Sequence, residues 1–310
     1  MTFSFVEAKP RRPGNSLMRG RAWKLKMKIA ALTYVYNENV NLPIWRRYYG
    51  ANFGEENLFV VDRESDDGST VDLGAANRIR VPRVAFDDWK KVAMINALHT
   101  ALLQSFDCVL VTDCDEFVIP DPEKYSGLRS YIETNKPKVM YCIGLNVRHI
   151  ITHEAPLDLT KPILGQRRFA NFHIRASKPA ISSVPTRWSP GNHICDQDIA
   201  FDKELYLFHL KFMDYSLAMR RQQTNRDTVW SVDSLEARHG AHHRYEYEQF
   251  VAEGFLDPVN IIRGGNVTPF VFDAEVKAMV EGKCEKNGVF WPGDAKQKYV
   301  EIPERFYGVV

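Results

Sequence analysis

Residues 109–117 (VLVTDCDEF) carry a run of apolar and β-branched side chains straight into a group of carboxylates. Read as extended chain, Asp113 and Asp115 stand at i and i+2 and face the same side. Two carboxylates aimed at one point repel unless a cation or hydrogen-bond donors intervene. Hard oxygen ligands of this kind suit Mn²⁺ or Mg²⁺, which keep positions free for water and phosphate oxygens. The competing reading is an acidic turn at a strand end that caps the next segment. A second group lies at 60–70 (VVDRESDDGST). Asp62 ends another apolar run, where an acid can accept hydrogen bonds from a ribose or base. Asp67-Gly68-Ser69 has turn chemistry of its own and is expected to lead into a helix. Asn37-Glu38 follows a third apolar run, either as part of the same sheet edge or as a helix cap.

The elements that must position these groups alternate. Short apolar runs at 28–35, 58–62 and 108–112 predict buried strands, and 79–84 predicts a weak strand interrupted by Pro82. Between them, 40–49 has helical spacing, and 90–105 places Val92, Ile95, Leu98 and Leu102 on one helix face. Strands alternating with helices predict an α/β fold with a mostly parallel sheet, covered on both faces and binding ligands at the carboxyl ends of its strands. Asp62 and Asp113 both fall at that end. Further along, 139–150 and 205–210 read as strands and 215–224 as a helix. The stretch 225–255 is charged and rich in His, and nothing after 256 has a pattern that assigns it.

Composition sets the bounds. The chain has 310 residues, 45% of them hydrophobic, enough for a substantial core, and a formal net charge of only +2. That balance argues against nucleic acid as a partner. The charge is uneven: 1–26 carries +6, leaving −4 for the rest. This segment has no apolar periodicity and reads as a flexible basic tail that could touch a membrane surface peripherally. Five cysteines without a CxxC pair suggest neither a disulfide framework nor a zinc knuckle. With no run of about 20 apolar residues and no apolar signal core, the expected location is cytoplasmic.

In order and spacing, the segments 29–38, 58–70, 90–105 and 109–117 resemble the family 2 glycosyltransferases of GT-A fold. The Asp-x-Asp-Glu-Phe variant is more similar to the family 92-like branch. The resemblance covers about 28–120 and continues faintly through Lys178, Gly191-Asn192-His193 and 206–210. It implies a nucleotide-diphosphate sugar donor, UDP-linked by expectation, and a glycan or glycolipid acceptor, with inversion at the anomeric carbon. It implies that Asp62, Asn37 and Glu38 lie near the base, that Lys91 and Asn96 line the nucleotide side, and that Asp113 approaches ribose and metal. Asp115 would ligate the metal, with His209 completing its site. The chain lacks the Glu-Asp motif that marks the base in many family 2 enzymes, which leaves His193, Asp196 and Asp198 as candidates. The division implied is a basic tail (1–26), a GT-A unit (27–255) with a nucleotide half (27–120) and an acceptor half (121–255), and a C-terminal extension (256–310). Two rivals stand beside this reading. One is a phosphohydrolase of the haloacid dehalogenase type, whose nucleophile also follows an apolar strand. The other is a binding module of the same fold without catalysis.

Overall fold

The computed structural model describes residues 26–310. The basic tail expected at 1–26 therefore lies outside the described residues, apart from Lys26. The first half runs β1 (Ile29–Val35), α1 (Asn41–Phe53), β2 (Leu58–Asp62), β3 (Asn77–Arg80), α2 (Asp88–Leu102), β4 (Cys108–Val111), β5 (Glu116–Pro120) and α3 (Leu128–Asn135). The middle supplies β6 (Val139–Arg148), β7 (Phe169–Phe172), β8 (Pro179–Ser182), β9 (Phe201–Phe212) and α4 (Tyr215–Arg226). Short helices α5 (Val232–Glu236), α6 (Tyr247–Val251) and α7 (Asp257–Arg263) follow. The chain ends with β10 (Val267–Thr268), α8 (Asp273–Glu281), β11 (Cys284–Lys286), β12 (Val289–Trp291) and β13 (Lys298–Glu301).

Eleven strands form one sheet, and β11 and β12 form a separate hairpin. The block β3-β2-β1-β4 is parallel throughout. Antiparallel β8 then links β4 to β6, and β9 runs parallel to β6. Only β5, β7 and β8 oppose the common direction, so the sheet is mixed but largely parallel.

Both faces of β1, β2 and β4 are covered, as their apolar runs require, while β3 is an exposed edge strand. In β1, Ile29, Ala31 and Val35 pack with Trp45, Tyr49 and Phe53 of α1, while Ala30 and Leu32 pack with Val92 and Ile95 of α2. The apolar spacing of 90–105 thus marks a real helix. Its start is fixed by Asp87, whose side chain accepts from the Lys90 amide at 3.1 Å. The helix expected after Asp67-Gly68-Ser69 does not form. Asp67 Oδ1 accepts from both the amide and the hydroxyl of Ser69, and the chain turns directly toward β3.

Candidate active site

The aromatic side of α1 builds the central turn. Trp45, Tyr48 and Tyr49 recur at helical spacing; Trp45 points its polar tip at the β4–β5 connection, and the two tyrosines point theirs at β5. Trp45 Nε1 donates to Thr112 Oγ1 at 2.9 Å, and Tyr48 OH donates to the Val118 carbonyl at 2.7 Å. Tyr49 OH donates to the Glu116 carbonyl and accepts from the Val118 amide, both at 3.0 Å. Held this way, residues 113–116 make a β-turn, closed by the Glu116 amide on the Asp113 carbonyl at 3.1 Å. The extended conformation expected for the Asp-Cys-Asp segment gives way to this turn, because β5 folds back to pair with β9 and not with β4. Asp113 and Asp115 still face one cleft, with different partners.

Asp113 sits between two ammonium groups, with Lys91 Nζ at 3.2 Å from one oxygen and Lys178 Nζ at 3.0 Å from the other. Lys178 also meets Glu116 Oε1 at 2.6 Å, and Glu116 Oε2 accepts the Asp113 amide at 3.0 Å. Burial alone would raise the Asp113 carboxyl, but Lys178 and Lys91 outweigh it and hold it well below the usual carboxylate range. For Glu116 burial prevails over the same lysine, and its carboxyl is pushed up. Asp115 Oδ2 lies 3.2 Å from His209 Nε2, and the other His209 nitrogen lies 2.9 Å from Asn146 Oδ1. Burial raises Asp115, but His209 more than offsets it, so the carboxylate stays ionised.

The cleft around this turn has a volume of about 1960 Å³. The wall that carries Asn37 and Glu38 is tied together by hydrogen bonds. Asn37 adopts a left-handed φ of 53° and exchanges two hydrogen bonds with Asp66, at 2.8 and 2.9 Å. Arg221 of α4 meets Glu38 Oε1 at 2.6 Å and donates to the carbonyls of Tyr36 and Asn37. His193 also lines the cleft, its Nδ1 buried without a partner among the described residues. Burial, then Lys178, pushes its pKa well down, so the ring is neutral.

Of the residues singled out in the sequence, Asn37, Glu38, Lys91, Asp113, Asp115, His193 and His209 come together on this cleft. Four do not. Asp62 is fully buried, accepting from the Ser65 amide, the Thr70 hydroxyl and the Arg78 guanidinium. Asn96 hydrogen-bonds both the amide and the carbonyl of Trp188, at 3.0 and 3.1 Å, and so pins the loop before His193. Asp196 accepts from the Arg187 amide at 2.9 Å, and Asp198 pairs with Lys283 at 2.5 Å. Reasoning from sequence missed Arg221, Arg148, Lys211 and Tyr299, as well as His242 and His243. Six of the nine histidines line the cleft. The His-rich stretch 225–255 was the only visible signal for part of this set.

Among the described residues, no group of three or more His, Cys, Asp or Glu side chains is placed to hold a metal ion by itself. Asp115 and His209 do make a two-ligand set. Asn146 Oδ1 stands beside His209 Nδ1, so it is Nε2 that faces Asp115 Oδ2. A metal-ligating His commonly has this second hydrogen bond.

No family model matches the chain, and no curated protein matches it. Among solved structures it is similar to a mannosyltransferase from Pyrobaculum calidifontis in complex with GDP-mannose and Mn²⁺, at 19% identity and a TM-score of 0.25, over 44% of this chain and 38% of that one. It is similar to glucosyl-3-phosphoglycerate synthase from Mycobacterium tuberculosis, in complex with Mn²⁺, UDP-glucose and phosphoglyceric acid, at 18% identity and a TM-score of 0.23, over 45% and 49%. It is also similar to a mannose-1-phosphate geranyltransferase from Thermus thermophilus, at 12% identity and a TM-score of 0.29, over 75% and 72%. The chain spans less than half the length of the first two.

Proposed function

We propose that this chain is a GT-A-type glycosyltransferase that moves a sugar from a nucleoside-diphosphate sugar, UDP-linked by preference, to a hydroxyl of a glycan or glycolipid. The observation that carries the reading is the turn at 113–116. It presents an ionised Asp115 beside His209 and a lysine-braced Asp113 in one cleft, at the carboxyl end of a parallel block. Asp115 and His209 would hold Mn²⁺ or Mg²⁺, with diphosphate oxygens filling the remaining positions. Bound there, the cation would neutralise charge growing on the departing diphosphate. Lys91 and Lys178 already stand over Asp113 and can turn part of their hydrogen bonding toward phosphate. His193 is the base on this reading, because it lines the cleft and its ring is neutral. Asp196 and Asp198 are committed to Arg187 and Lys283.

The haloacid dehalogenase alternative expects its acidic pair after the first strand, whereas Asp113 follows β4, the fourth strand along the chain. The deciding experiment replaces Asp115 by Asn and measures UDP binding by calorimetry with and without Mn²⁺. The wild type should require the cation and the variant should lose that dependence. An unchanged requirement for Mn²⁺ in the variant would remove this metal site.

A further inference from the structure

Beyond the donor chemistry lies positive charge that the proposed transfer does not use. Strand register lays a polar row across the sheet, with His209 beside Asn146, Asn146 beside Asn171, and Asn171 beside Tyr299. Arg148, two residues past Asn146, stands on the same face and is only 7% exposed. Its Nε donates to Asn171 Oδ1 at 2.7 Å, and its Nη1 donates to the carbonyls of Gly254 and Glu253 at 3.2 and 3.4 Å. Its Nη2 has no acceptor among the described residues. The Arg148 Cζ lies 4.3 Å from the Phe212 ring centroid, and Lys211 Nζ lies 5.2 Å from the same centroid. Arg175 borders the same cleft from the turn at Ile174–Ala176.

Among the described residues, none of these three cations has a carboxylate oxygen within 4.0 Å. The acids nearest these cations are Asp115, on the Lys211 side, and Glu253 and Asp257, on the Arg148 side; Asp115 is engaged with His209, and Glu253 Oε1 already accepts from Gln249. A buried guanidinium compensated only by neutral acceptors is costly. An anion from solution would relieve that cost, and the guanidinium fork matches the two oxygens of a phosphate or carboxylate.

We propose that Arg148, Lys211 and Arg175 form an anion subsite, so that the acceptor docks through a phosphate monoester or carboxylate group. The proposal rests on the transferase reading of the same cleft, because only there is this wall the acceptor side. The test is calorimetry on the full chain with glycerol 3-phosphate, glucuronate and, as the neutral control, glucose. Each is titrated with and without saturating UDP and Mg²⁺. The expected result is that one charged probe binds in both conditions, that glucose does not, and that Lys211→Met and Arg175→Gln each weaken binding by about tenfold or more. Whichever charged probe binds tighter identifies the group. Lys211→Arg should restore affinity, and the exposed Arg175 position serves if Lys211→Met fails to fold. Three results would each overturn the subsite: no binding of either charged probe, displacement of the probe by UDP, or equal affinity in the variants. Failure of the transferase reading would register separately, as UDP binding that needs no divalent cation.

Discussion

Two histidines in one chain show how surroundings set chemistry. His99 is fully buried on α2, edge-on to Trp188 at 4.7 Å, and neither ring nitrogen has a partner among the described residues. Burial holds its pKa down at about 4, against 6.5 for the free side chain. The folded state therefore binds fewer protons than the unfolded one. The associated stability is complete above pH 6.5 and drains away as pH falls toward 4. Between pH 7 and 4.5 the loss is about 2 kcal/mol. His99→Phe keeps the shape and removes the titration, so the difference in urea stability between those two pH values should shrink by about that amount. An undiminished difference would place the acid sensitivity elsewhere. His193 sits on the cleft wall, and the same neutral state there is useful. His193→Ala should lower kcat by roughly 10²–10⁴ and leave UDP affinity unchanged. The sequence offers His193 as one of three candidates for the base, beside Asp196 and Asp198. The burial that keeps its ring neutral comes from residues distant in sequence and could not be read there.

Among the elements, β1, β2 and β4 were the most legible, because strands buried on both faces are apolar nearly throughout and leave a run that stands out. The aromatic clamp of α1 on the 113–116 turn was not legible. Trp45, Tyr48 and Tyr49 announce a buried helix face, but not that their polar tips would bend the next acidic motif into a turn. The segment 173–178 is another such case. It crosses β6 at Gly144, where an added Cβ would stand 2.1 Å from the Ala176 carbonyl carbon. The Gly144 amide donates to Ser177 Oγ at 2.9 Å, and the next residue, Lys178, reaches Asp113. Only a residue without a side chain allows so close a crossing. Gly144→Ala should destabilise the protein by about 3 kcal/mol, through overpacking against backbone. It should also weaken UDP binding by moving Lys178. Chemical denaturation and calorimetry on the same variant separate the two effects. Wild-type stability would mean that the segment can lift away without cost.

At the scale of the whole molecule, the part with no readable pattern turns out to be woven into the sheet. Residues after 256 show no periodicity because their strands are short and lie at an edge: β10 has two residues and β13 has four. What places them is pairing with a strand far back in the chain, β13 with β7 at Val300 opposite Ala170 and Tyr299 opposite Asn171. This segment also closes the core. Val300 and Phe306 are fully buried, and the Phe306 ring lies 5.3 Å from Phe208 and 5.4 Å from Tyr206 on β9, the strand that presents His209. Were 256–310 an independent appendage, cutting it off would spare the rest. The packing predicts otherwise. Truncation at 255 strips the cover from β7 and β9 and should leave a chain that does not fold cooperatively. Because a truncated chain can also fail by aggregating, the sharper test is a point change. Phe306→Ala should cost about 3–5 kcal/mol in urea unfolding, the range for a buried aromatic. Circular dichroism should show a single transition shifted to lower urea. Two separate transitions, with the first half unfolding at its original midpoint, would mean that the C-terminal segment is a unit of its own.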